Sequence, residues 1–170
     1  QNAHWAFAFN SEASLLEGNR IEDRPNDSPR FITTGTVEGF SPLDQYLMGL
    51  RAPDEVASTF VVLNTRPNVR LRQPEVGVGF DGERRNVEIR ELIDAEGRRT
   101  PDSTVAQRYY RFAFILVTRG GVDPTAEELS QIETYRSEFE KYYRRATSER
   151  AWADTTLKRS LRLSVFPAAG

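Results

Sequence analysis

Apolar positions recur along this chain with two different periods, and the change from one to the other marks out the elements. Over residues 4–9, Trp5, Phe7 and Phe9 alternate with His4, Ala6 and Ala8, the period of two that predicts a half-buried strand. Residues 19–34 read as two extended arms around Pro25-Asn26-Asp27-Ser28-Pro29, an exposed hairpin or ordered loop. Ser58–Leu63, apolar without a break from Phe60, predicts a central strand, and Val69–Arg72 an alternating edge strand. Asp81-Gly82 reads as the turn of a hairpin between residues 76–80 and 85–89. The longest strand signal, Arg108–Thr118, contains the apolar run Phe112–Val117 and predicts a central buried strand. A last alternating strand is expected at Leu161–Val165.

Helical signals appear in four places. At residues 42–49, Ser41 is a cap, Pro42 suits the first helical position, and Asp44 faces the unpaired amides of the first turn. Leu43, Tyr46, Leu47 and Leu50 then fall on one face, with Gly49 loosening the end. Ile89–Ala95 predicts a short amphipathic helix stopped by Gly97, and Pro53–Val56 a helical turn. The main helix is expected over about residues 124–146, with Asp123 as cap, Glu127 and Glu128 in the acidic first turn, and Lys141, Arg144 and Arg145 at the other end. The resulting fold class is α+β, a single domain over residues 1–170: a mostly antiparallel sheet with short helices and one long C-terminal helix packed on it.

Composition narrows the chemistry. The chain is 170 residues long, 38% hydrophobic and 28% charged, with a net charge of −2 and no cysteine. That balance disfavours nucleic acid and anionic membrane as partners, and no apolar run is long enough for membrane insertion. Disulfides, thiolate metal sites and a cysteine nucleophile are excluded. Gly77-Val78-Gly79-Phe80-Asp81-Gly82 has dinucleotide-loop spacing but no buried strand before it and no helix after it, so nucleotide binding is rejected. The Asp23/Asp27 pair lacks the spacing of a calcium loop, and Glu133, Glu138 and Glu140 read as a charged helix face rather than paired catalytic acids. Arginine beside aromatics at 108–112 could stack bases, but a buried strand accounts for it better.

Three residues stand as candidates. His4 is the sole histidine, so neither an HExxH zinc site nor a two-histidine triad can be assembled from this sequence; it reads as a strand residue, one metal ligand of a larger site, or a triad base. Asp44 is a helix cap or a metal ligand, and Met48, the sole methionine, is core filling or a methionine beneath a metal.

Ser41-Pro42-Leu43-Asp44-Gln45-Tyr46-Leu47-Met48-Gly49-Leu50 resembles a segment of bacterial secreted proteins related to zinc metallopeptidases. His4–Asn10, Ala13–Asn19, Ile93–Gly97, Phe112–Val117 and the stretch before Asp154–Leu157 are similar to further pieces of the same proteins. The resemblance implies the C-terminal portion of such a protein, secreted or periplasmic, with the HExxH helix upstream and this segment inactive alone. Zinc would then be bound only with upstream ligands, His4 or Asp44 contributing and Met48 lining the cleft. The partners implied are the upstream part of the same polypeptide and a peptide substrate. The alternative is a noncatalytic structural or partner-binding module.

Overall fold

The computed structural model describes residues 4–156; the strand expected at 161–165 lies outside them. The polar turn at 25–29 closes a hairpin of β1 (Asn19–Asp23) and β2 (Phe31–Thr36), antiparallel with a bulge between Arg20 and Ile21. Two longer strands, β3 (Thr59–Arg66) and β4 (Gly79–Val87), pair antiparallel, and Phe31 and Ile32 of β2 meet Phe80 and Gly79 of β4. The sheet order is β1-β2-β4-β3. With its short helices and one long helix near the C-terminus, the fold is α+β and antiparallel in its main sheet.

Alternation along the strands gives each face of this sheet its own core. Ile21, Phe31, Phe60, Val62 and Phe80 point to one side, where Phe7, Ala8 and Val69 close over them. The intervening Val61 and Val87 point to the other, against Phe9, Leu43 and Tyr46 and the apolar side of α2 (Ile89–Glu96). Gly97, at φ +83, ends α2 as expected. A third cluster lies apart from the main sheet. There Phe139 and Tyr143 of α3 (Ala126–Ala146) pack on Leu50, Phe40 and a small parallel pair, β5 (Tyr109–Arg111) and β6 (Trp152–Asp154). The long helix thus covers the small sheet, where the sequence pattern placed it on the main one.

Several expectations are corrected, most of them for a tertiary reason. Residues 4–9 do not form a strand; the chain turns at Phe7-Ala8, so Phe7 and Phe9 enter different clusters. β3 is an edge strand, not a central one, and its apolar run is explained by the cover it receives: Asn10 N donates to Phe60 O and Val62 N to Ala8 O, both at 2.9 Å. Residues 69–72 form a turn in which Val69 is buried and Leu71 is 93% exposed. Asp81-Gly82 lies inside β4. A Cβ on Gly82 would stand 2.5 Å from Leu63 O, so glycine there serves the close approach of β3 at its bulge and not a turn. The 108–118 run forms strand only at 109–111, and Ile115 and Val117 are 79% and 85% exposed. The long helix starts two residues later than expected, because Thr125 and Glu128 supply a capping box: Glu128 N donates to Thr125 Oγ1 at 3.2 Å, and Thr125 N to Glu128 Oε2 at 2.8 Å.

Asp23 fastens the hairpin to the rest of the sheet. Its carboxylate accepts from Arg30 at 2.6 and 2.9 Å and from Arg84 of β4 at 2.7 Å. The Arg30 bonds hold the carboxyl below its ordinary value of 3.8, with Arg84 adding to them and partial burial opposing. A lowered folded value means that the contribution to stability is fully present above the ordinary value and is lost as pH falls through the folded one. The gap in melting temperature between the wild type and Asp23→Asn is therefore expected to be largest near neutral pH and to close on acidification below about pH 4. Thermal melts of the two proteins across pH check this.

Candidate functional site

The best-specified local structure is the helix α1 (Pro42–Leu47), and the site is built around its start. Ser41 Oγ accepts from Asp44 N at 3.1 Å, while Asp44 Oδ2 accepts from Ser41 N at 2.7 Å, a reciprocal capping box with Pro42 in the first turn. The helix ends in a matched pair of bonds, Gly49 N to Tyr46 O at 2.9 Å and Leu50 N to Gln45 O at 2.7 Å, with Gly49 at φ +76. That closure requires a left-handed residue after the cap, which glycine supplies without a Cβ clash.

Asp44 has a second partner that the local pattern does not reveal. Its Oδ1 accepts from Trp5 Nε1 at 2.9 Å, and the side chain is 1% exposed. Both carboxylate oxygens are thus engaged in protein hydrogen bonds. Trp5 stacks on Phe9 at 4.8 Å between ring centres, and its backbone N donates to Leu16 O at 3.1 Å. His4 is exposed, with Nδ1 3.8 Å from the Glu17 carboxylate. Met48 packs beside Leu50 and Tyr143 in the third cluster, where its flexible thioether fills space between α1 and α3. Leu47, expected on the apolar face, is exposed, while Leu50 is fully buried.

Gln45 is a buried polar residue that the sequence pattern did not single out. Its amide donates to Phe40 O at 2.8 Å and Ser148 Oγ at 3.0 Å, and its Oε1 accepts from Arg51 at 3.0 and 3.2 Å. The amide fixes α1 against the end of α3, and only the three-dimensional fold brings these groups together.

Next to the cap lies a cavity of about 310 Å³ whose floor is Phe9, Leu43, Val56, Val87, Ile89 and Leu92. Its rim carries Asn10, Ser11, Glu12, Ser58, Thr59 and Glu88. At Glu12 the rim includes backbone held in an unusual shape, since Glu12 and the following Ala13 both have positive φ, 55° and 57°. Such conformations cost on the order of 1 kcal/mol each and persist where neighbouring bonds fix them. Here Ser11 N donates to Asn19 O at 3.0 Å and Glu38 N to Ala13 O at 2.7 Å. An apolar floor with a hydroxyl, amide and carboxylate rim suits one or two apolar side chains of a bound peptide. No histidine lines this cavity, so none of its serines has an imidazole base beside it.

Comparison with protein-family models, curated proteins and solved structures returns no significant match. Among the described residues, no group of three histidine, cysteine, aspartate or glutamate side chains is placed to hold a metal ion. No helix among them is long and apolar enough to cross a membrane.

Proposed function

We propose that this chain forms the noncatalytic floor and wall of the substrate cleft in a secreted zinc metallopeptidase-like protein, with the catalytic HExxH helix upstream in the same polypeptide. The observation that supports the reading is the meeting of three segments on which the resemblance rests. Trp5 donates to Asp44 at 2.9 Å, the backbone of Trp5 donates to Leu16 O at 3.1 Å, and Leu15 N donates to Gly39 O at 2.9 Å just before the Ser41 cap. Segments distant in sequence are thereby held as one unit, beside an apolar cavity that suits a peptide side chain.

The residues present do not complete a zinc site. His4 offers one imidazole, Asp44 has both oxygens engaged, and the described residues hold no further cluster of ligands. No catalytic step is assigned to this chain, whose part in the reading is to shape the cleft and position the peptide. When bound, zinc would supply an activated water and polarise the scissile carbonyl.

A second reading, a noncatalytic partner-binding module, is favoured by the exposed apolar stretch at Ile115–Val117. The two separate on a longer polypeptide extended upstream of Gln1. Under the proposal it carries an HExxH sequence, holds one zinc per chain and cleaves peptides, and His4→Ala lowers its zinc content. An upstream sequence without that motif, or a longer protein that neither binds zinc nor cleaves peptides, would leave the partner-binding reading in its place.

A further inference from the structure

A different cavity, of about 430 Å³, opens between Tyr46, Gly49 and the Arg51–Pro53 turn on one side and the 98–105 loop on the other. Three arginines line it, Arg51, Arg98 and Arg99, against one carboxylate, Asp102. That carboxylate is turned into its own loop, where Asp102 Oδ1 accepts from Thr104 N at 2.9 Å and from Thr104 Oγ1 at 2.6 Å. The cavity wall therefore carries a net positive charge, three guanidiniums against one carboxylate whose Oδ1 is engaged within its own loop.

The arginines are also short of counter-charge. Arg51 is half-buried, and its hydrogen bonds all go to neutral acceptors, Gln45 Oε1 at 3.0 and 3.2 Å and Glu55 O at 3.4 Å. The Glu55 carboxylate, whose backbone oxygen Arg51 contacts, is taken by Arg150 and by Ala52 N. Burial, followed by repulsion from Arg150, lowers the Arg51 value against the pull of Glu55. Arg99 donates Nε to Leu47 O at 2.8 Å and Nη1 to Thr100 O, again neutral acceptors. Arg98 is exposed and has no ion pair or hydrogen bond among the described residues. Tyr46 completes the wall. Its hydroxyl accepts from Arg99 N at 3.1 Å, which leaves the phenolic proton to donate.

We propose that this cavity is an oxyanion site that takes the carboxylate or phosphate group of a small ligand or chain end, held by Arg51, Arg98 and Arg99 with the Tyr46 hydroxyl. Guanidinium forks match both groups, and a site with partly desolvated arginines strengthens each charge-assisted bond. The site stands independently of the metallopeptidase reading, because none of its residues is a candidate ligand or lines the cavity beside the Asp44 cap.

The test is a calorimetric or NMR titration of the folded chain with inorganic phosphate and, separately, with N-acetylglycine, at constant ionic strength in chloride. The probe variant is Arg98→Gln, which removes a donor without breaking a bond of the fold; Arg70→Gln, outside the cavity, is the control. Saturable binding of at least one anion, weakened roughly tenfold by Arg98→Gln and unchanged by Arg70→Gln, is expected. Phosphate alone would identify a phosphate-bearing ligand and N-acetylglycine alone a carboxylate ligand, and either result supports the site. Absence of binding by both anions up to about 10 mM, or equal binding by wild type and Arg98→Gln, would overturn it.

Discussion

Asp44→Ala is expected to lower the stability of the fold by about 3 kcal/mol, the sum of a lost helix cap and two stranded donors. The side chain is buried, and its oxygens are the acceptors for Ser41 N and Trp5 Nε1. Truncation leaves the buried Ser41 N–H and the half-buried Trp5 indole N–H without their acceptor, which costs more than the bonds themselves contribute. Asp44→Asn keeps one acceptor and should recover part of the loss. Against a typical total of about 5–15 kcal/mol, the alanine variant should show a clearly lowered denaturation midpoint. Its Trp5 emission should shift to the red as the indole loses its buried partner. If Asp44 instead served chiefly as a metal ligand, melting would be unchanged while zinc uptake was lost.

Phe80→Ala is expected to cost about 3–5 kcal/mol, the largest single effect of any substitution considered. Phe80 sits on β4, fully buried, with Phe31 stacked at 5.9 Å and Phe7 edge-on at 6.1 Å. β4 is hydrogen-bonded on both sides, to β2 and β3. The backbone cannot move in to fill the space, so the loss includes a cavity as well as the buried ring. Phe80→Leu should cost markedly less, and Leu71→Ala, at a residue 93% exposed, should stay within about 0.5 kcal/mol. Denaturant unfolding of the three variants measures the contrast.

What could be read from the sequence was whatever is decided within one or two turns of chain. The Ser41/Asp44 box spans four residues, the 25–29 turn joins adjacent strands, and Gly97 ends the helix immediately before it. Those features obey local chemistry, and they appear where the pattern puts them. The start of the long helix is set by the local Thr125/Glu128 box, but the failures at β3, Gly82 and residues 108–118 have a common origin in groups supplied from far away. β3 looks central by composition because residues 8–10 cover its outer edge, and Gly82 looks like a turn because the approach of Leu63 cannot be seen in sequence. The 108–118 run has the composition of a buried strand, yet a strand forms only where β6 offers a partner. The site divides in the same way. The cap role of Asp44 is local, whereas its bond to Trp5 spans 39 positions and the Gln45 bond to Ser148 spans 103. The cavity beside the cap, built from four separated stretches of chain, left no sequence signal.

The most direct measurement on this chain is a peptidase assay of residues 1–170 alone, folded and supplied with zinc, against unfolded protein and peptide substrates. The expected result is a cooperatively melting protein with no turnover above the buffer blank. Sustained, chelator-sensitive cleavage by this segment by itself would contradict the assignment of a noncatalytic floor and wall.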